Sequence, residues 1–241
     1  MQSGPTFVHF IPIATTAISI PFAITVLRRY FDRKTGPHLA WWGAGILLYG
    51  VGTLTESLVT LLGWQEPVFR TWYIAGALLG GAPLAQGTVY LLLSRRTANI
   101  LSALLVPLIA VASIAVLLTP INYALVESHR LTGSVMEWTW VRMFSPFINT
   151  YAFVFLVGGA VLSAVRFSRM PEMSHRFYGN TLIAIGALLP GIGGMSTRMG
   201  YTEVLYVMEF VGLVVIWFGY RMNIRKAPSS SLLRSPAPAT S

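Results

Sequence analysis

The chain has 241 residues, of which 54% are hydrophobic and 10% are charged, and it contains no cysteine. Soluble domains carry roughly 25% charged residues, so this composition argues against a water-soluble enzyme and indicates a surface that faces lipid. The net charge of +9 comes from basic residues between apolar stretches, which is typical of membrane topology signals rather than of a nucleic-acid-binding face. The lack of cysteine excludes disulfides, thiolate metal ligands and cysteine nucleophiles.

Seven apolar stretches are each long enough to cross the hydrocarbon core of a bilayer, which needs about 20 residues. In chain order they cover about 8–27, 38–62, 68–93, 98–119, 146–167, 177–197 and 203–222. The sequence therefore predicts an all-α integral membrane protein, with a seven-helix transmembrane domain over residues 1–225. Residues 226–241 are rich in Ser, Pro and Ala, and we expect them to form a flexible cytoplasmic tail.

The basic residues concentrate at one end of these spans. That end carries Arg28, Arg29, Arg33, Lys34, Arg95, Arg96, Arg166, Arg169, Arg176, Arg221, Arg225, Lys226 and Arg234. The opposite end carries only Arg70, Arg130, Arg142 and Arg198. The positive-inside rule then predicts a cell-membrane protein with its N-terminus outside and its C-terminus in the cytoplasm. Positive charges follow the first span and do not precede it, which is typical of an uncleaved helix rather than of a signal peptide.

A weak internal repeat joins the two halves of the chain. A shift of 137 positions pairs Arg29 with Arg166, His38 with His175, Gly63 with Gly200, and Glu66 with Glu203. The matches predict parallel triplets, helices 1–3 and 5–7, linked by helix 4; chance similarity in so biased a composition is the alternative. In layout the chain resembles the sugar-transporting SWEET proteins and the vitamin-transporting PnuC type, without the Pro-Gln dipeptide of the former. In shape it resembles microbial rhodopsins, but Lys34 and Lys226, its only lysines, lie outside the spans, which excludes covalent retinal.

Charged groups inside spans are costly and mark functional sites by default. Glu56 in helix 2 and Glu209 in helix 7 are the two carboxylates in such positions, both in the outer half of the bilayer. Residues predicted near the same depth are Arg142, Arg198 and His9. We therefore expect a polar pocket, open to the outside, that binds a ligand or a proton. The alternative is that each glutamate pairs with an arginine and locks two helices together.

Two further features belong to this hypothesis. Gln86 in helix 3 is either a ligand-binding group or an interhelical hydrogen-bond partner. The run Pro190-Gly191-Ile192-Gly193-Gly194 predicts a broken sixth helix, which would line an internal cavity. A glycine-lined packing groove with a kink is the alternative for this run.

The sequence contains no motif typical of an enzyme, and no two histidines have the spacing of zinc ligands on one helix. We predict no cofactor or metal site, because His38 and His175 are better explained as interfacial histidines than as haem ligands. The favoured function is a small transporter, channel or receptor-like protein. The first alternative is a non-catalytic subunit of a membrane complex or homo-oligomer. The second is an intramembrane enzyme acting on a lipid or isoprenoid, with Glu56, Glu209 and His9 as acid and base.

Overall fold

The computed structural model describes residues 6–33 and 36–224, except for the side chains of Arg33 and Arg198. Seven of its helices are long and apolar enough to cross a membrane, which confirms the predicted all-α, seven-helix architecture. Numbered α1 to α7, they are Ile11–Arg33, Pro37–Leu62, Glu66–Leu92, Arg95–Leu118, Thr139–Ser168, Ser174–Arg198 and Thr202–Ile224. The predicted tail, 226–241, lies outside the described residues.

Six helices form a closed ring in the order α1, α2, α3, α5, α6 and α7, and α4 packs outside this ring against α3. Helices α2 and α7 both pack on α1, so long side chains from α2 and α7 can meet beside it. One end of the ring carries His9, the turns at 63–65 and 199–201, and the segment 119–138. We refer to it as the His9 end.

Helices α6 and α7 pack with their backbones almost in contact. Glycines recur every seven residues on α6 and face small or close positions on α7: Gly179 with Gly219, Gly186 with Gly212, and Gly193 with Leu205. A Cβ added to Gly186 would lie 2.7 Å from the Gly212 carbonyl oxygen, and one added to Gly219 would lie 2.5 Å from that of Gly179. No side chain fits at such distances, so glycine permits this spacing, as in other small-residue interfaces between membrane helices.

The structure contradicts the predicted unwinding of the sixth helix. The segment 190–194 lies within one continuous α-helix, Ser174–Arg198. Pro190 has no N–H to donate to the Gly186 carbonyl, but α7 covers this point, since a Cβ on Gly212 would lie 2.7 Å from the Gly186 oxygen. Because protein covers the freed carbonyl, the helix need not open to water there. The predicted helix break at Pro190, Gly191, Gly193 and Gly194 is therefore wrong.

The interruption lies in α3 instead. After the α-helical turn Glu66–Trp72 the chain continues as a π-helix, Tyr73–Leu78, and leaves helical geometry at 79–81. It resumes as the α-helix Ala82–Leu92, with Pro83 in the first turn, where its missing N–H is not needed. Helix α2 lies so close to the π-helical segment that a Cβ on Gly52 would be 3.0 Å from the Gly76 Cα.

The segment 119–138, the longest connection between spans, is folded over the His9 end. Ile121 and Met136 form an antiparallel bridge within it, and Ser128 accepts a hydrogen bond of 2.8 Å from the Trp64 backbone N–H. Four of its apolar side chains are buried against α2, α3 and α4: Ile121, Leu131, Val135 and Met136. The longest connection between spans is thus an ordered cap on one half of this end.

Arg70 ties the start of α3 to the last turn of α4. Its guanidinium donates to the Thr119 carbonyl at 2.8 Å and to the Val116 carbonyl, and it forms an ion pair of 2.7 Å with Glu66. Tyr123 also donates a hydrogen bond to Glu66, and this bond raises the pKa of the Tyr123 phenol. Positive charge at a helix C-terminus, where carbonyls lack partners, stabilises that end.

We expect Arg70→Met to destabilise the protein by about 3 kcal/mol, because it leaves partly buried α4 carbonyls without their charged donor. The measurement is thermal unfolding in mild detergent. Arg142→Met is the matched control, because Arg142 is exposed and forms no hydrogen bond or ion pair with the described residues. Equal melting temperatures for the two variants would contradict the role assigned to Arg70.

Candidate functional site

Two glutamates from different helices meet inside the bundle. Glu56 lies six residues before the end of α2 at Leu62, and Glu209 lies seven residues after the start of α7 at Thr202. At about 1.5 Å per residue, both lie roughly 10 Å below the His9 end. Their carboxyl groups are within hydrogen-bonding distance of each other, and Glu56 is only 2% exposed. The structure therefore brings together the two glutamates that the sequence placed at one depth.

Aromatic side chains surround this carboxyl pair. The Trp72 indole donates a hydrogen bond of 3.0 Å to Glu56 Oε1. The Tyr49 hydroxyl donates to the backbone carbonyl of Glu209 at 2.9 Å. The buried phenol of Tyr206 lies within electrostatic reach of both carboxyls. Among the described side chains, the indole of Trp72 is the one hydrogen-bond donor to the carboxyl pair.

Two oxygens of the carboxyl pair lack a hydrogen-bond donor in the described part of the chain. The Oε2 atoms of Glu56 and Glu209 are buried and receive no hydrogen bond from a hydroxyl or nitrogen donor among the described residues. Two ionised carboxylates in contact would repel each other strongly at this low dielectric, and like charges so close do not both ionise. One shared proton would remove the repulsion and would supply the missing donor, so the geometry suits a carboxyl–carboxylate pair.

A polar route leads from the His9 end toward this pair. Glu203, whose side chain is 49% exposed, lies 4.0 Å from the His9 Nε2 atom. The His9 ring packs edge-on against Tyr206, with ring centroids 5.9 Å apart, and Thr60 of α2 donates to the His9 carbonyl at 3.0 Å. Exposed carboxylate, histidine, phenol and carboxyl pair thus follow one another from the surface inward. Such a series of titratable and hydroxyl groups can pass protons between solvent and a buried site.

The predicted arginine partners do not join the site. Arg142 is exposed, and it forms no ion pair with either glutamate. The side chain of Arg198 lies outside the described part of the structure. Among the described side chains neither Glu56 nor Glu209 forms an ion pair, so the alternative in which paired charges lock helices together finds no support.

Gln86 belongs to a separate hydrogen-bond network. It is fully buried, and its amide nitrogen donates to the Ala98 carbonyl at 3.1 Å and to Ser102 at 2.7 Å. Its oxygen accepts a hydrogen bond from Tyr151, so the amide connects α3 to both α4 and α5. Every partner is a neighbouring helix, which agrees with the interhelical alternative for Gln86 and not with a ligand-binding role.

The sequence analysis missed Tyr49, Trp72, Tyr206 and Glu203. A signal for three of them is present in the helical spacing. Glu203, Tyr206 and Glu209 are separated by three residues each and share one face of α7, while Tyr49 and Glu56 are seven residues apart on one face of α2. Trp72 has no such signal, because it lies on a different helix from both glutamates, and the sequence does not show which way α3 is turned toward α2.

Comparison with protein-family models, with curated proteins and with solved structures finds no match to this chain. The class of protein is therefore defined by its own architecture, which is an all-helical bundle with seven membrane-length helices. Within residues 6–33 and 36–224, no three His, Cys, Asp or Glu side chains come together as a metal-binding group.

Proposed function

We propose that this chain is a small membrane transporter, channel or receptor-like protein whose working group is the proton shared by Glu56 and Glu209. The observation that carries the proposal is the contact between the buried Glu56 carboxyl and the partly buried Glu209 carboxyl, without an arginine or lysine partner among the described side chains. Such a site costs stability, so a role in binding accounts for it. A proton is the ligand that fits, because the Oε2 atoms of both glutamates are buried and lack a donor in the part of the chain that the structure describes.

The proton is exchanged with the outside of the cell in this proposal. In the sequence, thirteen of the seventeen Lys and Arg residues follow the first, third, fifth and seventh spans, and the positive-inside rule makes the end of the bundle opposite His9 cytoplasmic. The route through Glu203 and His9 then opens outward. External acidity would set whether the pair is loaded, and loading would alter how α2 and α7 pack beside α1.

The proposed triplet repeat is consistent with a proton site at the pair of Glu56 and Glu209. Helix α4 lies outside the ring, as a linker between two sets of three helices would. Carboxyls from the first and second triplets, Glu56 on α2 and Glu209 on α7, then meet at the interface between them. Transporters with repeats typically hold their coupling site at such an interface.

The two alternatives receive less support. A subunit interface through the glycines of α3 is not favoured, because Gly76 packs on Gly52 of the same chain. An intramembrane enzyme would need His9 to converge with both glutamates, whereas the His9 imidazole interacts with Glu203 and Tyr206.

Infrared spectroscopy of the protein in lipid vesicles tests the proposal directly. We expect a protonated carboxyl band at neutral pH that disappears as the external pH is raised, and that is absent in Glu209→Gln. Glu137→Gln is the matched control, because Glu137 is an exposed carboxylate of the cap segment. A band that persists in Glu209→Gln, or the absence of a protonated carboxyl band in the native protein, would overturn the proposed shared proton.

A further inference from the structure

An apolar groove runs between α3 and α5 near the end opposite His9. Its volume is about 280 Å³. On α3 it is lined by Thr88, Val89, Leu92 and Leu93, and on α5 by residues from Val154 to Arg166. Several of these apolar side chains are exposed at the bundle surface, among them Leu92, Leu93, Val154 and Leu162. The groove is therefore open sideways, toward the hydrocarbon of the bilayer.

Glycine creates the depth of this groove. A Cβ added to Gly158 would have no atom within 4 Å, so the space above that residue is empty. A Cβ added to Gly159 would lie 2.6 Å from the Thr88 Cγ2 atom, so the groove floor is tightly packed. Gly158 is exposed, so the open space above it lies at the bundle surface beside the tightly packed floor at Gly159.

The length and charge of the groove match one leaflet. From Val154 to Arg166 the groove follows twelve residues of α5, or about 18 Å, while half of a hydrocarbon core is about 15 Å. Arg166 is exposed at its end and forms no hydrogen bond or ion pair with the described residues. Arg95 and Arg96 at the start of α4 add positive charge at the same end. An arginine at this depth extends to the headgroup region.

We propose that this groove is a binding site for an anionic phospholipid, with one acyl chain along Gly158 and the phosphate on Arg166. The apolar lining recognises the chain, and the unpaired guanidinium recognises the phosphate through charge-assisted hydrogen bonds. This site is separate from the carboxyl pair, and it does not depend on the function proposed for that pair.

Spin-labelled lipids in phosphatidylcholine vesicles that contain the protein test this proposal. We expect the immobilised fraction to favour labelled phosphatidylglycerol over labelled phosphatidylcholine. Arg166→Gln should lower that preference about fivefold, the effect of one basic residue at a membrane surface. Gly158→Phe should fill the groove and reduce the immobilised fraction of both lipids.

Two matched controls separate this site from general effects. Arg169→Gln removes a charge from the same helix end without touching the groove lining. Gly194→Phe places the same ring on α6, where a Cβ also meets nothing within 4 Å. An unchanged preference in Arg166→Gln, or an equal loss in Arg169→Gln, would refute a specific site. If Gly158→Phe fails to fold, the comparison of Arg166→Gln with Arg169→Gln still tests whether the groove binds the anionic lipid.

Discussion

Replacing Glu56 by glutamine is expected to abolish reversible proton binding and to leave the protein folded. The glutamine amide has the shape of a protonated carboxyl and donates a hydrogen bond permanently to the carboxylate of Glu209. The pair then holds no exchangeable proton. Because replacement of a buried charged group by a neutral one is often neutral or stabilising, the melting temperature should remain at or above that of the native protein.

The measurement is proton release from purified protein when the pH is raised, followed with a soluble indicator. The native protein should release one proton more than Glu56→Gln. The double variant Glu56→Gln with Glu209→Gln should match the single variants, since residues that act as a unit are not additive. Proton release that falls by half in each single variant would show two independent carboxyls and would contradict the shared proton.

Glu56→Ala separates the loss of the proton from the loss of packing. Alanine leaves the Trp72 indole without its acceptor and leaves the space of the carboxyl empty. A buried donor without a partner costs about 1–3 kcal/mol, so this variant should melt below Glu56→Gln. Glu56→Ala supplies no amide donor to Glu209, so the loss of proton release is tested with Glu56→Gln, and the contribution to packing is tested with the melting temperatures of the two variants.

The depth of the glutamates could be predicted from the sequence, but their surroundings could not. Carboxylates are rare in apolar spans, and counting residues from the helix ends placed Glu56 and Glu209 at one level. The same counting suggested Arg142 as their partner. Sequence gives the depth of a residue and not its direction around the bundle, and a long arginine near a helix end can extend outward to the interface.

The continuous helix α6 shows a second limit of prediction from the sequence. Proline and glycine identify where helical hydrogen bonds can be lost, and they correctly mark 190–194 as such a place. Whether the helix opens depends on what covers the freed carbonyl, and here Gly212 on α7 does so. In α3 the interruption at 79–81 coincides with Gly80-Gly81-Ala82-Pro83, which is also a pattern that disfavours a continuous helix, whereas the π-helical turn before it has no such signal. The seven-residue spacing of Gly179, Gly186 and Gly193 is visible in the sequence and is typical of a close helix contact.

Gly186→Leu is expected to disrupt the bundle. Its Cβ would lie 2.7 Å from the Gly212 carbonyl oxygen and 2.9 Å from the Ile216 backbone nitrogen. Both are backbone atoms and cannot rotate away, so α6 and α7 would have to separate along their length. Overpacking against movable side chains costs about 1–3 kcal/mol, and we expect a backbone clash to exceed the upper value.

Gly191→Leu makes the same substitution five residues along the same helix and provides the matched control. A Cβ at Gly191 meets no atom within 4 Å, and leucine has a higher helix propensity than glycine by roughly 1 kcal/mol. This variant should therefore be as stable as the native protein or more stable. Yield of monodisperse protein and melting temperature in detergent distinguish the two variants, and similar values would contradict the close α6–α7 contact.

The contact between α6 and α7 and the pair of Glu56 and Glu209 are connected through α7. Gly212 lies one helical turn from Glu209, so a shift of α7 away from α6 also moves Glu209 relative to Glu56 on α2. The milder variant Gly212→Ala should keep the protein folded in part of the population and weaken proton release in proportion to the displacement of α7. Normal proton release in a folded Gly212→Ala protein would show that α7 can move at Gly212 without changing the carboxyl contact.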